Sequence, residues 1–178
     1  MKYFIDYECC DFAEGGAAQF YSIVGMKGYG FKEYSGKNAK RDAKFAWSTQ
    51  KKLAKFGLAP KVIGTIKKID AYYMGEMKKS NWGYITQIAR LKNYNKKYSY
   101  KSLQNLVEKI REKTGLKFWD SHFENIGLIK IKGKTKLVCI DTGRESFDPD
   151  CNAWGFREPG PKCIDCNKYQ CSCCDYND

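Results

Sequence analysis

Two glycine turns in the first thirty residues restrict the fold of this chain more than any other feature. An aromatic run at residues 3–7 precedes Gly15-Gly16, and a second run at residues 20–24 precedes the glycine-rich segment 25–30. Aromatic and β-branched runs separated by glycine turns are typical of short antiparallel strands. The following run at residues 31–34 therefore predicts a third strand in an antiparallel sheet.

The pattern after residue 38 changes to helical spacing. Ala43, Ala46, Gln50 and Leu53 recur at intervals of three and four residues, which predicts a helix over residues 39–55 that Gly57 terminates. Further along the chain we predict two strands, two helices and a β-hairpin, at residues 61–69, 71–77, 84–91, 102–114 and 126–140. This mixture of antiparallel strands and helices predicts an α+β fold.

The positive charge is concentrated in the middle of the chain. The net charge is +12, and residues 26–117 alone carry 23 basic and 6 acidic side chains, a net charge of +17. Of the 32 basic residues 27 are lysines, which provide solvated point charges, whereas base reading favours arginine. We interpret most of this charge as solvated helix faces. Nucleic acid is therefore a less favoured partner.

No stretch of the sequence approaches the roughly 18 apolar residues that span a bilayer. Asp6 stands too close to the N-terminus for the apolar core of a signal peptide. We therefore expect a cytoplasmic protein without a membrane partner. In a reducing cytoplasm, the nine cysteines are expected to be thiols or metal ligands rather than disulfides.

An acidic loop and the end of the following hairpin carry the residues best suited to chemistry. Asp120 and Asn125 are separated by four residues, and Asp141 follows the hairpin directly. Phosphoryl transfer depends on charge placement more than on covalent chemistry by the protein. One carboxylate can accept the proton of an attacking hydroxyl, while an amide oxygen and a second carboxylate can hold Mg²⁺.

The segment Asp120-Ser121-His122-Phe123-Glu124-Asn125 resembles the D-x-x-x-x-N catalytic loop of the protein-kinase-like superfamily, which includes the aminoglycoside phosphotransferases. Cys139-Ile140-Asp141-Thr142-Gly143 resembles its strand-plus-DFG element, with Thr142 in place of Phe. The resemblance implies that Asp120 is the catalytic base and that Asn125 and Asp141 are the Mg²⁺ ligands. It covers roughly residues 3–147, and the small size is similar to that of atypical kinases encoded by bacteriophages.

The resemblance also implies an ATP site in the first half of the chain. Lys32 would be the third-strand lysine that pairs with nucleotide phosphates, and Gly15-Gly16 would occupy the glycine-loop position. Glu76-Met77 would be the hinge that binds adenine through its backbone. Residues 39–55 contain no Glu to pair with the lysine, so Gln50 is the expected substitute, with Asp42 as the charged alternative.

These assignments imply a minimal two-lobed kinase-like fold with a Cys-rich tail. Residues 1–77 would form an N-lobe of antiparallel sheet plus one helix, residues 78–150 a truncated helical C-lobe, and residues 151–178 the tail. Phe118 stands where His is usual, and 37 residues follow Asp141. These departures motivate the alternative of a catalytically inactive pseudokinase that acts as a binding or inhibitory protein.

The tail contains two closely spaced cysteine pairs in the pattern C-x₂-C-x₄-C-x₂-C, formed by Cys163, Cys166, Cys171 and Cys174. A two-residue spacer lets both thiolates of one turn reach the same metal, so the pattern predicts a structural Zn²⁺ site. Cys173 is an alternative fourth ligand, and free thiols are the alternative to the metal site.

The favoured function is an ATP- and Mg²⁺-dependent phosphotransferase acting on a protein or small-molecule hydroxyl, in the host cytoplasm if the chain is phage-encoded. The inactive pseudokinase is the first alternative. A basic, zinc-containing nucleic-acid binder is the less favoured third hypothesis, motivated by the charge of residues 26–117.

Overall fold

The computed structural model describes residues 3–9, 12–14, 18–90, 99–131 and 133–148. The strands of this described part are, in chain order, β1 (Ile5–Asp6), β2 (Phe12–Glu14), β3 (Ala18–Ser22), β4 (Tyr29–Tyr34), β5 (Val62–Lys67), β6 (Asp70–Tyr73), β7 (Glu76–Lys79), β8 (Trp82–Gln87), β9 (Ile126–Ile131) and β10 (Lys134–Cys139). The helices are α1 (Ala39–Ala54), α2 (Tyr100–Thr114) and α3 (Arg144–Phe147).

A five-stranded antiparallel sheet forms the largest unit, with the strand order β2-β3-β4-β8-β5. Helix α1 packs on this sheet through contacts with β4, β5 and β8. Ala43, Ala46 and Leu53 lie on the buried side of the helix, which is the apolar stripe that its sequence predicts. The α+β class with mostly antiparallel sheets is therefore confirmed.

The helix predicted at residues 84–91 is wrong, because residues 82–87 form strand β8. Tyr84, Ile85 and Thr86 are all buried, since β8 lies between β4 and β5 and is covered on both faces. A strand buried on both faces loses the alternation of polar and apolar residues that identifies strands. Its short apolar run is then indistinguishable by periodicity from a buried helix.

The single strand predicted at residues 71–77 is instead a hairpin formed by β6 and β7. Its two-residue turn, Met74-Gly75, has φ values of 51° and 79°, as a type I′ hairpin turn requires. The N-terminal strand β1 pairs in parallel with β6, which gives a second sheet of order β1-β6-β7. Strand β3 pairs with β2 at residues 12–14, so the aromatic run at residues 3–7 is not the partner strand of β3.

The second half of the described chain consists of helix α2, the β9–β10 hairpin and the short helix α3. Helix α2 ends at Gly115, whose left-handed backbone (φ 71°) caps the helix. One apolar cluster connects this half to the end of α1, and it comprises Leu53, Leu58, Ala59, Leu103, Leu106, Ile110, Phe118, Ile126, Cys139 and Phe147. None of the helices in the described ranges is long and apolar enough to cross a membrane.

Candidate active site where the sheet meets the hairpin

Lys32 and Asp141 form an ion pair that joins the five-stranded sheet to the end of the β9–β10 hairpin. Lys32 lies on β4, the third strand of that sheet, and its Nζ is 3.1 Å from Asp141 Oδ1. The same ammonium donates to the carbonyl of Ile140 at 3.2 Å. The Lys32 side chain is only 12% exposed, so water screens this pair weakly.

Two further donors hold the Asp141 carboxylate in place. The Ser146 hydroxyl donates to Oδ2 at 2.6 Å, and the Gly143 amide donates to Oδ1 at 3.3 Å. Burial alone raises the pKa of Asp141, but Lys32, Ser146 and Gly143 outweigh it, and the pKa lies below its ordinary value. Asp141 is therefore an ionised carboxylate at neutral pH.

The charge state of Lys32 follows from the same balance. Burial alone lowers the pKa of its ammonium, whereas the negative charge of Asp141 raises it, and the pKa lies above its ordinary value. Lys32 is therefore protonated at neutral pH.

Asp120 and Asn125 are in direct contact within the predicted catalytic loop. The Asn125 Nδ2 group donates to Asp120 Oδ2 at 2.8 Å and to the Asp120 carbonyl at 2.9 Å. The ring of His122 lies beside both residues, with Nε2 at 3.2 Å from Asp120 Oδ1 and 3.0 Å from Asn125 Nδ2. The loop places these polar groups together because a 3₁₀ turn at Phe123–Asn125 folds it back on itself.

The backbone of Asn125 connects this loop to the ion pair. Its carbonyl accepts hydrogen bonds from the amides of Ile140 at 3.0 Å and Asp141 at 3.4 Å. Lys32, Asp120, Asn125 and Asp141 thus belong to one continuous set of contacts, which we call the junction site. The structure brings these four residues together from positions up to 109 residues apart in the sequence.

Gln50 is not the partner of Lys32, and this prediction needs correction. Its Nε2 donates to the carbonyl of Pro60 at 3.0 Å and to Thr86 Oγ1 at 2.5 Å. Its Oε1 accepts from Tyr84 OH at 2.8 Å and from Thr142 Oγ1 at 3.4 Å. The Gln50 amide therefore lies in the interior between α1, β8 and Thr142, whereas the partner of Lys32 is Asp141.

Thr142, Ser146 and Tyr34 adjoin the junction site but were not predicted. Thr142 and Ser146 are fully buried. Tyr34 follows Lys32 by two residues and so lies on the same face of β4, and its buried hydroxyl has no hydrogen-bond partner among the described residues. The signals available in the sequence were the Ser five residues after Asp141 and the unusual Thr in the Asp141-Thr142-Gly143 segment.

Glu145 is a second carboxylate near Asp141 that was not predicted. A Cβ built on Gly143 would collide with its Oε2 and lie 3.4 Å from Asp141 Oδ1, so both carboxylates approach the bare backbone of this glycine. Partial desolvation raises the pKa of Glu145, and the negative charge of Asp141 raises it further.

Other predicted site residues lie elsewhere. Glu76 and Met77, the predicted hinge, are exposed at the start of β7, an edge strand of the second sheet, and do not follow a strand of the five-stranded sheet. Gly15, Gly16 and the four cysteines Cys163, Cys166, Cys171 and Cys174 lie outside the described residues. The glycine loop and the zinc site therefore remain predictions.

The junction site provides oxygen donors of the type that Mg²⁺ prefers. Asp141 offers a carboxylate and Asn125 an amide oxygen, and Asn125 Oδ1 accepts no hydrogen bond from the described residues. Mg²⁺ commonly binds one or two carboxylates and completes its shell with water and phosphate. Within the described ranges, no group of three or more His, Cys, Asp or Glu is placed to hold a metal ion.

The chain matches no protein-family model and no curated protein.

Proposed function

We propose that this protein is an ATP- and Mg²⁺-dependent phosphotransferase that phosphorylates a hydroxyl of a protein or small molecule. The Lys32–Asp141 ion pair is the observation that carries the proposal. It places a protonated amine on the third sheet strand against an ionised carboxylate, beside the Asp120–Asn125 loop. The kinase-like resemblance implies this combination of residues.

Each charge at the junction site has a use in phosphoryl transfer. Mg²⁺ would supply charge neutralisation on the nucleotide phosphates, held by the carboxylate of Asp141 and the amide oxygen of Asn125. Lys32, released from Asp141, would contact a phosphate oxygen. The Asp120 carboxylate is 27% exposed and is steadied by Asn125, so it can accept the proton of an attacking hydroxyl.

The position of the adenine-binding backbone shifts with the corrected strand order. The resemblance puts this segment after the fifth strand of the sheet. The five-stranded sheet contains, in chain order, β2, β3, β4, β5 and β8, so its fifth strand is β8. Residues 88–90 follow it and run beside β9, where Arg90 and Leu128 form an isolated antiparallel bridge. We assign the hinge to residues 88–90 in place of Glu76-Met77.

One observation favours the alternative of a catalytically inactive binding module. Lys32 and Asp141 neutralise each other directly, whereas a helix carboxylate would leave Asp141 available for metal. Gln50, which the sequence offered as the substitute, is directed to Tyr84 and Thr142. In an inactive module the ion pair would serve to join the sheet to the hairpin.

Incubation with ATP labelled at the terminal phosphate, with Mg²⁺, tests the proposal. The readouts are autophosphorylation, transfer to added protein or small-molecule hydroxyls, and ATP hydrolysis. We expect label transfer by the wild type and a loss of about 10²-fold or more for Asp120→Asn, with Asp141→Asn also impaired.

Glu112→Gln is the matched control, because it removes an exposed carboxylate on α2 outside the junction site. Circular dichroism verifies that each variant is folded. Wild-type activity in folded Asp120→Asn would refute the catalytic assignment. If the wild type transfers no label and nucleotide with Mg²⁺ does not raise its melting temperature, the inactive module is the better description.

A further inference from the structure

A strip of lysines and tryptophans runs along the outer side of α1 and the neighbouring edge strand β5. Residues 35–82 carry twelve basic and three acidic side chains. All three acids are paired, Asp42 with Arg41, Asp70 with Lys79 and Glu76 with Lys78. The other nine basic side chains have no carboxylate within ion-pair distance in the described part of the chain. This segment thus carries nine basic side chains that form no ion pair with a described carboxylate.

The lysines of α1 form a regular row. Lys40, Lys44, Lys51 and Lys55 are exposed and recur at helical spacing, with Ser48 filling the interval. Side chains three and four residues apart lie on the same face of a helix. At 1.5 Å per residue, the row from Lys40 to Lys55 is about 22 Å long. An extended polyanion could therefore contact several of these ammonium groups at once.

Helix α1 and strand β5 lie side by side and antiparallel, which adds further groups to the row. Lys40 near the start of α1 and Lys68 just beyond β5 both lie over the Trp82 ring, at 4.7 and 5.9 Å from its centroid. Midway along, Trp47 donates its indole N–H to the carbonyl of Gly64 at 3.1 Å. Strand β5 is the edge of the sheet, so its outer side has no neighbouring strand in the described residues.

Two indole rings lie within this row of charges. Trp47 and Trp82 are each partly buried and pack against the cluster under α1, so their positions are fixed. Lys51 lies 4.6 Å from the Trp47 ring centroid, which puts an ammonium beside the second ring as well. We call this surface the α1–β5 strip, and its members are Lys40, Lys44, Trp47, Lys51, Lys55, Lys68 and Trp82.

We propose that the α1–β5 strip binds single-stranded nucleic acid without sequence preference. Proteins that bind single strands combine a basic groove for the phosphates with aromatic rings on which bases stack. Lysine suits this role because it recognises phosphate as a point charge, whereas base reading favours arginine. An acidic peptide offers the charge but not the stacking bases, and the bases of a duplex are already stacked inside it.

The strip is separate from the junction site. Gln50 and Ala46 are on the buried side of α1, where Gln50 reaches Thr142, while the strip lysines are on its exposed side. The proposal therefore does not depend on phosphotransferase activity, and either can fail without the other.

Fluorescence anisotropy of a labelled oligothymidylate tests the proposal. The oligonucleotide has about twenty nucleotides, so that it is longer than the roughly 4–16 nucleotides that one such groove covers. The full chain is titrated between about 50 and 200 mM salt. With four phosphate contacts we expect the logarithm of the affinity to fall with the logarithm of salt at a slope near −3, because each contact to a single strand contributes about −0.7. Base stacking on Trp47 and Trp82, after Lys40, Lys51 and Lys68 move from the rings to the phosphates, should also quench tryptophan fluorescence.

Variants locate the binding surface. Lys44→Glu with Lys51→Glu should weaken binding by about tenfold or more and flatten the salt slope. The control is Lys109→Glu with Lys113→Glu, which makes the same charge change on exposed positions of α2 and should leave binding nearly unchanged. Trp82→Ala should weaken binding roughly five- to hundredfold if a base stacks there. Circular dichroism verifies that each variant is folded. If Trp82→Ala does not fold, the lysine variants alone test the location of the binding surface.

Three results would overturn the proposal. The first is the absence of salt-dependent binding. The second is equal weakening by the α1 and α2 charge reversals, which would mean that only net charge matters. The third is binding of duplex DNA or competition by polyglutamate as strong as that of the single strand, which would mean that bases make no contribution.

Discussion

At the scale of single residues, the Lys32–Asp141 pair is the interaction whose loss should lower the free energy of unfolding most. Removing one partner of a buried pair leaves the other charge without compensation, which costs about 3–5 kcal/mol. Asp141 is 28% exposed, so we expect Asp141→Asn to lower the free energy of unfolding by about 3 kcal/mol, at the low end of that range. Urea unfolding at neutral pH measures this cost, and Glu76→Gln, from a surface pair, should cost less than about 1 kcal/mol.

The Lys32–Asp141 pair also predicts how the stability loss of Asp141→Asn depends on pH. The pKa of Asp141 is lowered on folding, so its contribution is present above the unfolded carboxyl pKa of about 3.9 and is lost as the pH falls through the folded value. The pKa of Lys32 is raised, so its contribution is present below about 10.4 and is lost as the pH rises through the folded value.

The difference in unfolding free energy between wild type and Asp141→Asn should therefore be greatest between about pH 4 and 10, and smaller outside this window. A difference that stays constant from acid to alkaline pH would contradict the assignment of this pair. The measurement is a series of urea titrations on both proteins across that range.

The buried amide of Gln50 predicts a second effect at this scale. Gln50→Leu removes a buried hydrogen-bond partner from the hydroxyls of Tyr84 and Thr142 and leaves them with each other at 3.3 Å, which should cost about 1–3 kcal/mol. Thr142→Val removes one of those hydroxyls. The double variant should then lose less than the sum of the two single losses, and a strictly additive loss in chemical unfolding would show that the two side chains are not coupled.

At the scale of elements, the pairing of β4 with β8 depends on a glycine. A Cβ at Gly83 would lie 2.6 Å from the Phe31 ring and closer still to the carbonyl of Lys32. Such contacts can be relieved only by separating the two strands. Gly83→Ala should therefore lower the melting temperature much more than Gly36→Ala, where the surroundings are open and only the positive φ of 83° opposes the change. Equal shifts in melting temperature would show that the strands tolerate the separation.

The elements predicted correctly from the sequence are those in which local signals and tertiary burial agree. Helix α1 buries the stripe that its spacing predicts, and the β9–β10 hairpin turns at Gly133, whose φ is 77°. Strand β8 was predicted incorrectly because its burial on both faces removes the alternation. The β6–β7 hairpin was missed because Met74 adopts a positive φ that its side chain does not signal.

The candidate site could be predicted only from resemblance to known motifs, because secondary-structure propensities carry no information about it. Asp120, Asn125 and Asp141 follow from motif spacing, and the structure places all three at the junction site. Gln50 was predicted as the partner of Lys32 because residues 39–55 contain no Glu. Its orientation depends on Tyr84 and Thr142, which are distant in the sequence and carried no signal of their own.

At the scale of the whole molecule, Leu53 connects the two halves of the described chain. It is fully buried at the end of α1 and belongs to the cluster that includes residues of α2 and the β9–β10 hairpin. Leu53→Ala should cost about 2–5 kcal/mol, because it removes a fully buried side chain from this cluster.

Native-state hydrogen exchange can show whether that loss reaches both halves. We expect the amides of α1, which packs on the five-stranded sheet, and those of α2 to lose protection by similar amounts, since this cluster contains residues of both helices. Loss of protection confined to α2 would mean that the sheet unfolds independently. Phe56→Ala, at a side chain that is 48% exposed, is the control.

The parallel pairing of β1 with β6 has a consequence for synthesis of the chain. Ile5 is fully buried opposite Ala71, yet the ribosome makes its partner strand 66 residues later. At about 5–20 residues per second, β6 is synthesised roughly 3–13 seconds after β1. The interval between Lys32 and Asp141, 109 residues downstream, is longer still. The nascent chain therefore carries the exposed apolar strand β1 and an unpaired Lys32 while the residues between the partners are translated.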